Sequence, residues 1–298
     1  MAEIFFTLDD ARVALRDLWR SGGSLGSVHS LGALHEGHGR VITLAASEND
    51  HCVVTIYPNE AQLAPGMHYE YDPEADIRFA IDHGATHVIA PGRGSMYPSN
   101  YLTFLDQGEC WRRLDGSVLP FMFRGMITMC IRWMSFVRPT RVYWGLKDIG
   151  QTLLVRRAAS DLMLDTEIRE VPCVRYTSGI PISSRLMSLD RESLEELAGV
   201  YRVLREGLAA VSAGETRADE IRRIVHAGLD TLPIERFRPH YVKIADANDF
   251  TEPNKVGLPF VLHCAVTNGT INHFDGFLVR EPGDLSDPKA LWLESKWP

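Results

Sequence analysis

Cysteine is scarce in this chain: five among 298 residues, at Cys52, Cys110, Cys130, Cys173 and Cys264, with no C-x-x-C pair. An odd, scattered set offers neither a disulfide framework nor a cysteine zinc site. It points to a reducing compartment, and a cytoplasmic location is expected. No apolar run is long enough for a membrane-spanning helix, which needs about 18 residues. The opening residues lack the basic-then-apolar pattern of a signal peptide, so none is expected. Positive charge is also short: 31 Lys and Arg against 39 Asp and Glu leave a net charge of −8. That argues against the broad basic face on which nucleic-acid binding depends, while leaving room for a local basic pocket around a small anion. Repeats and low-complexity tracts are absent. What is present, 45% apolar and 23% charged residues, is the composition of a soluble globular chain long enough for one large or two ordinary domains.

Through its first half the chain alternates strand-like and helix-like segments. Thr7 with Asp10 three residues on opens a helix that Gly22-Gly23 closes, with Ala11, Leu15 and Leu18 on its buried face. The runs 26–31, 52–57, 86–91, 141–146 and 166–175 are short and apolar and are expected as strands. Helices are expected over about 36–47, 72–84, 124–139 and 149–162, with Pro73 near the first position of the second of these. Such alternation predicts an α/β fold with a doubly wound parallel sheet. Ligands of these sheets bind beyond the carboxyl ends of the strands, where His35 and His38, Asn59 and Gln62, and Lys147 and Asp148 all fall. The pattern then changes to two helices within 188–231, followed by three strand-like runs. This predicts a smaller α+β domain beginning near Tyr176, with the turn-rich final stretch packing loosely.

The stretch LGALHEGHGR carries His35 and His38 around Glu36 and Gly37. A zinc protease helix needs H-E-x-x-H, and this spacing is one residue short. A phosphate-binding turn fits better. Gly37 lets backbone approach an anion, a helix N-terminus offers N–H groups, and histidines can donate to phosphate oxygens. Lys147 follows a buried strand as a point charge suited to phosphate, and Asp148 could cap the next helix. Ser183, Ser184 and Arg185 form a compact donor set, in which Arg185 can hold two phosphate oxygens. Asn59 and Gln62 carry amides suited to a hydroxyl or carbonyl. Taken singly, each of these also reads as an ordinary cap, surface cation or polar loop.

Taken in order, LGALHEGH, YPNEAQL, FRG, WGLKDIGQ and ISSR, with HYVKIADANDF further on, resemble the pantothenate synthetase (pantoate–β-alanine ligase) family, within the H-x-G-H nucleotidyltransferase superfamily. The resemblance covers nearly the whole chain. It implies a Rossmann-like nucleotide- and acid-binding domain over 1–175 and a smaller α+β domain over 176–298 that closes over the active site. The implied reaction has two steps. A pantoate carboxylate attacks the α-phosphorus of ATP to give an acyl adenylate and pyrophosphate, and the amine of β-alanine then takes the acyl group. His35, His38, Lys147 and Arg185 are implied as the catalytic set, with Gly37, Gly145, Asp148, Ser183 and Ser184 around the nucleotide. Leu31, Asn59, Gln62 and Gln151 are implied around the hydroxy acid. Mg²⁺ would ride on the phosphates, with Asp76 a candidate metal contact. The implied assembly is a homodimer, with no nucleic-acid or membrane partner.

Several residues depart from the family pattern. Pro-Thr-Met before the Gly-x-Leu-His is His29-Ser30-Leu31, and Phe-Val-Asn-Pro-x-Gln-Phe is Tyr57 to Leu63. In the segment Gly-Glu-Lys-Asp-aromatic-Gln-Gln, Gly150 stands for a glutamine; Leu186 stands for the asparagine after Ser-Ser-Arg. The loop between Gln62 and Asp76 is about two residues shorter than usual. The phosphate-handling residues are kept, and the changes gather around the acid and amine pockets. Pantoate with β-alanine is favoured by Asn59, Gln62 and Gln151. A relative using another acid or amine, and a nucleotidyltransferase without the amide step, stand as alternatives. A fold retained for binding alone is opposed by the intact His35, His38, Lys147 and Arg185.

Overall fold

The central β-branched runs of the first half become adjacent parallel strands because they are apolar on both sides and need helices over both faces. The computed structural model describes residues 2–63, 70–110, 113–119, 122–186, 189–232, 236–286 and 288–298. It divides into two compact units. The first comprises Met1–Gly108, Leu119–Gly145 and Leu154–Val171, and the second Glu109–Val118, Leu146–Leu153 and Pro172–Pro298.

In the first unit six strands, β1 (Glu3–Phe5), β2 (Leu25–Ser30), β3 (His51–Ile56), β4 (His87–Ile89), β5 (Arg141–Gly145) and β6 (Glu167–Val171), form a sheet in the order β1-β4-β3-β2-β5-β6. Every pairing is parallel. Helices α1 (Leu8–Ser21), α2 (Glu36–Glu48), α3 (Pro73–Asp82), α4 (Met122–Val137) and α5 (Ile149–Asp161) connect the strands. Alternation along β3 shows that both faces are covered. Val54 and Ile56 pack with Ile42 of α2 and Ile77 of α3, while Val53 packs with Ala11 and Leu15 of α1 and Trp133 of α4. The expected stops and starts are in place: Thr7 accepts the Asp10 N–H at α1, Gly22 ends that helix at φ 76°, and Asp72 caps α3 ahead of Pro73.

Strand order reverses between β2 and β5, which makes a topological switch point. The two strands are in register only at Gly26 with Arg141 and Ser27 with Val142. Beyond that they part: His29 and Ser30 pair with β3 alone, and Trp144 and Gly145 with β6 alone.

The second unit packs α6 (Arg191–Ser212) and α7 (Ala218–Thr231) on an antiparallel sheet of β8 (Arg238–Asp246), β9 (Phe260–Thr267) and β10 (Asn272–Val279), in the order β10-β9-β8. Leu197, Leu204 and Leu208 of α6 meet Ile221 and Val225 of α7 and Ile244, Leu262 and Val266 of the sheet. Full burial of such side chains contributes about 1.5–3 kcal/mol each.

Two sequence expectations are corrected, and one strand is added. Residues 3–5, for which no element was expected, form the edge strand β1 paired with β4. The run 166–175 is two strands: Pro172 has no N–H for the ladder, β6 ends at Val171, and β7 (Cys173–Arg175) leaves to pair with β11 (Ala290–Trp292). The final stretch, expected to pack loosely, is tied down. It forms the short helix α8 (Gly283–Ser286) and β11, the Leu293 N–H donates to the Arg175 carbonyl, and Leu293 and Trp297 lie against the second core.

Candidate active site

The β2–α2 connection makes a strained turn that ends in a histidine-built helix cap. Gly32 has φ 108° and Ala33 φ 52°, the second uncommon for a residue with a side chain. A Cβ at Gly32 would lie 2.6 Å from the Tyr71 ring and 2.9 Å from Asp76 Oδ2. The turn is held by Asp76, whose carboxylate accepts the Ala33 N–H at 2.8 Å and the Leu34 N–H at 2.7 Å. Burial raises the Asp76 pKa, and the two N–H bonds oppose that rise. Both oxygens accept from the turn, so Asp76 braces it. Among the described residues no group of three His, Cys, Asp or Glu side chains is arranged to hold a metal ion.

His35 is the N-cap of α2. Its Nδ1 accepts the Gly37 N–H at 3.1 Å, and His38 Nδ1 accepts the His35 N–H at 3.2 Å. This is a capping box in which histidines replace the usual Ser and Glu. The cap fixes their chemistry. An Nδ1 that accepts from backbone carries no proton, so each neutral ring is an Nε2–H donor. The rings lie 4.1 Å apart, at a helix end that favours anions.

After β3, Asn59 is fully buried. Its amide nitrogen donates to Gln62 Oε1 at 2.7 Å and to the Gly125 carbonyl at 3.1 Å. With Oε1 occupied, Gln62 is oriented to present its amide N–H₂. Gly125 is required here: a Cβ would fall 2.0 Å from the Ala61 carbonyl oxygen. Motif spacing singled out Asn59 and Gln62 but not Gly125, whose part depends on a helix distant in sequence; the FRG motif was its one signal.

At the switch point, His29 Nδ1 lies 2.9 Å from Thr55 Oγ1 and Nε2 lies 3.3 Å from Ser27 Oγ, with the ring stacked on Trp133 and edge-on to Trp144. Burial pushes its pKa down to about 3, so the ring is a neutral aromatic wall. The buried Trp144 Nε1 has no hydrogen-bond partner.

Most of the remaining expected residues belong to the second unit. The turn Leu146–Asp148 lies against β7 and β10, and Lys147 Nζ donates to Asp148 Oδ1 at 3.0 Å. Gln151 is half-buried in the first turn of α5. Ser183 Oγ accepts the Arg185 N–H at 3.3 Å, and Ser184 and Arg185 are exposed. In the first unit, Leu31, Gly37 and Gly145 are half-buried. Met187 and Ser188 of the ISSRLMSL segment, and residues 64–69 of the shortened loop, lie outside the described residues.

Known proteins match this arrangement along its length. The family model for pantoate–β-alanine ligase matches residues 3–278. A pantothenate synthetase of Roseiflexus castenholzii is 34% identical over 261 residues, 87% of this chain and 93% of its own. The crystal structure of pantothenate synthetase from Thermus thermophilus is 28% identical, with a TM-score of 0.85 over 94% of this chain and 100% of that one. A Francisella tularensis pantoate–β-alanine ligase, complexed with beta-gamma ATP and beta-alanine, shares the fold at 24% identity and a TM-score of 0.74. With the parallel sheet, the histidine cap and the ordered motifs in place, the chain belongs to the pantoate–β-alanine ligase family, enzymes that use ATP to form a carbon–nitrogen bond.

Proposed function

We propose that the chain activates pantoate as an acyl adenylate and transfers the acyl group to β-alanine. A carboxylate oxygen attacks the α-phosphorus and pyrophosphate leaves. The amine then attacks the acyl carbonyl, AMP leaves and the nitrogen loses a proton. The observation that carries this reading is the histidine capping box, which gives His35 and His38 the Nε2–H form suited to phosphate oxygens. In the proposed roles, these two donors stabilise charge growing on the phosphates during attack. Lys147, Ser183 and Arg185 neutralise the triphosphate, with Gly37, Gly145, Asp148 and Ser184 around the nucleotide. Gln62, oriented by Asn59, and Gln151 take the hydroxyls of the acid beside Leu31.

Mg²⁺ is proposed to accompany ATP, its ligands drawn mainly from phosphates and water. The described residues offer it no three-ligand cage, and no step is assigned to it. The functional division at 175/176 and the homodimer are proposals supported by the family resemblance. The five free cysteines, four of them buried, support a cytoplasmic location. No helix among the described residues is long and apolar enough to cross a membrane.

The test is ATP–pyrophosphate exchange without amine. Exchange that depends on pantoate, followed by AMP release when β-alanine is added, is the expected result. Exchange with no hydroxy acid tested would overturn it. The wall of His29 and Trp144 at the switch point favours one second reading, a different hydroxy acid, which the same screen would identify. Gly125→Ala should raise the KM for the acid about tenfold or more by unseating Asn59 and Gln62, with ATP binding nearly unchanged. An unchanged acid KM would remove Gln62 from the pocket.

A further inference from the structure

Gly150 stands in the first turn of α5, where glycine weakens a helix. The space its missing side chain leaves is already filled. A Cβ there would lie 3.2 Å from Asp115 Oδ2, 3.5 Å from Asp115 Cγ and 3.7 Å from Leu114 Cβ. Asp115 reaches this notch from the strap Glu109–Val118, which packs with the second unit.

Asp115 is not a casual neighbour. It is 2% exposed, and its Oδ1 accepts the Tyr241 hydroxyl at 3.1 Å. Tyr241 Oη lies 3.0 Å from His263 Nδ1. Since the phenol proton goes to Asp115, His263 Nδ1–H is the donor to Tyr241. His263 Nε2 stands 3.4 Å from Asp115 Oδ1 and makes no hydrogen bond among the described residues, so the ring holds Asp115 through Tyr241. Burial and then the Asp115 charge push the Tyr241 phenol far above its ordinary range, which keeps it a donor. Two more bonds pin the strap beside Asp115: Lys243 Nζ donates to the Arg113 carbonyl, and Arg113 Nη1 donates to the Asp249 carbonyl at 3.0 Å. A carboxylate near the first turn of α5 also suits the positive end of that helix.

We propose that Asp115, fixed by Tyr241 and His263, is a positioning residue: it fills the notch at Gly150 and sets the place of the Lys147–Gln151 turn for nucleotide chemistry. This rests on the ligase reading above. Asp115 touches no reacting atom in this scheme; it acts through the turn. Where the family pattern has glutamine, this chain has glycine, and the Asp115 carboxylate stands beside the space a side chain would take. A misplacement of about 1 Å at a phosphate-binding group can lower a rate on the order of 100-fold.

The experiment measures ATP–pyrophosphate exchange, ATP binding by calorimetry, and thermal unfolding of the full chain. Gly150→Gln should lower the kcat of exchange by roughly 10- to 100-fold, with the KM for ATP changed by less than about threefold and the fold intact. Asp115→Ala should do the same, and Asp115→Asn, which keeps the shape and an acceptor for Tyr241, should recover most of the rate. The double variant Gly150→Gln with Asp115→Ala should be no slower than either single change, because the glutamine takes the vacated space. Gly150→Gln with wild-type kcat overturns the proposal, as does a double variant whose loss is the product of the two. No exchange by the unmodified protein would overturn the ligase reading instead. Should Asp115→Ala fail to fold, Gly150→Gln and Asp115→Asn still decide the matter.

Discussion

Asp275→Ala should destabilise the second unit by about 3–5 kcal/mol, the usual result of leaving one member of a buried ion pair alone. Arg175 and Asp275 are each 2% exposed. They meet in a bidentate fork, at 3.0 Å and 2.7 Å, and Arg175 also donates to the Gly179 and Gly276 carbonyls at 2.8 Å and 3.3 Å. The guanidinium lies over the Tyr201 and Phe277 rings, at 4.8 Å and 5.3 Å. Burial works against its charge, but the Asp275 carboxylate more than offsets this, and the pKa of Arg175 is held above its usual value. Without Asp275 the cation stays charged and has no counter-ion. At a few degrees per kcal/mol, the melting temperature should fall by roughly 10 °C or more, read by circular dichroism. Replacing both residues, with Arg175→Met and Asp275→Leu, should cost much less. A single Asp275→Ala variant that melts within a degree or two of the parent would show that water has reached Arg175.

The second large effect is on rate. His35→Ala or His38→Ala should lower single-turnover adenylate formation on the order of 10²–10³-fold, the range for removing one preorganised donor to a charged transition state. ATP affinity should change far less. Each substitution also breaks the capping box, at a cost of about 1 kcal/mol to α2. His35→Asn separates the two contributions. Asparagine is a good N-cap, so stability should return, but the Nε2–H is gone and the rate should stay low. Recovery of rate together with stability would make the histidine merely a cap.

The parallel sheet was legible because its strands are short, apolar on both faces and separated by helices with clear caps, such as Thr7 with Asp10 and Asp72 with Pro73. The edge strand β1 was not. Three residues with an exposed side carry no periodicity, and β1 exists because β4 offers an unpaired edge. Pro172 was visible, but that β7 would find a partner at Ala290–Trp292 depends on contacts across the second half of the chain. In the site, local chemistry pointed to His35, His38, Asn59 and Gln62, because a helix start and a strand end are local features. The bracing role of Asp76 was hidden for the opposite reason: a lone carboxylate in sequence does not show that two backbone N–H groups will meet it. Gly125 and Asp115 act across long sequence separations, on Ala61 and on Gly150, and only packing reveals them.

The pairing of β7 with β11 also bears on the order in which the protein is made. All six strands of the parallel sheet lie within the first 171 residues, so that sheet has its full complement before the main stretch of the second unit, from Pro172 on, is translated. Domains commonly fold as they emerge, N-terminal first. The second unit has no such head start. Its strand β7 is synthesised more than a hundred residues before β11, and the Arg175 carbonyl receives the Leu293 N–H only after α6, α7 and the antiparallel sheet have been made. During that interval β7 has an open edge, the feature that invites wrong pairing between nascent chains. The same late strand that completes the second unit therefore also times it, since β7 stays unpaired until β11 has been made.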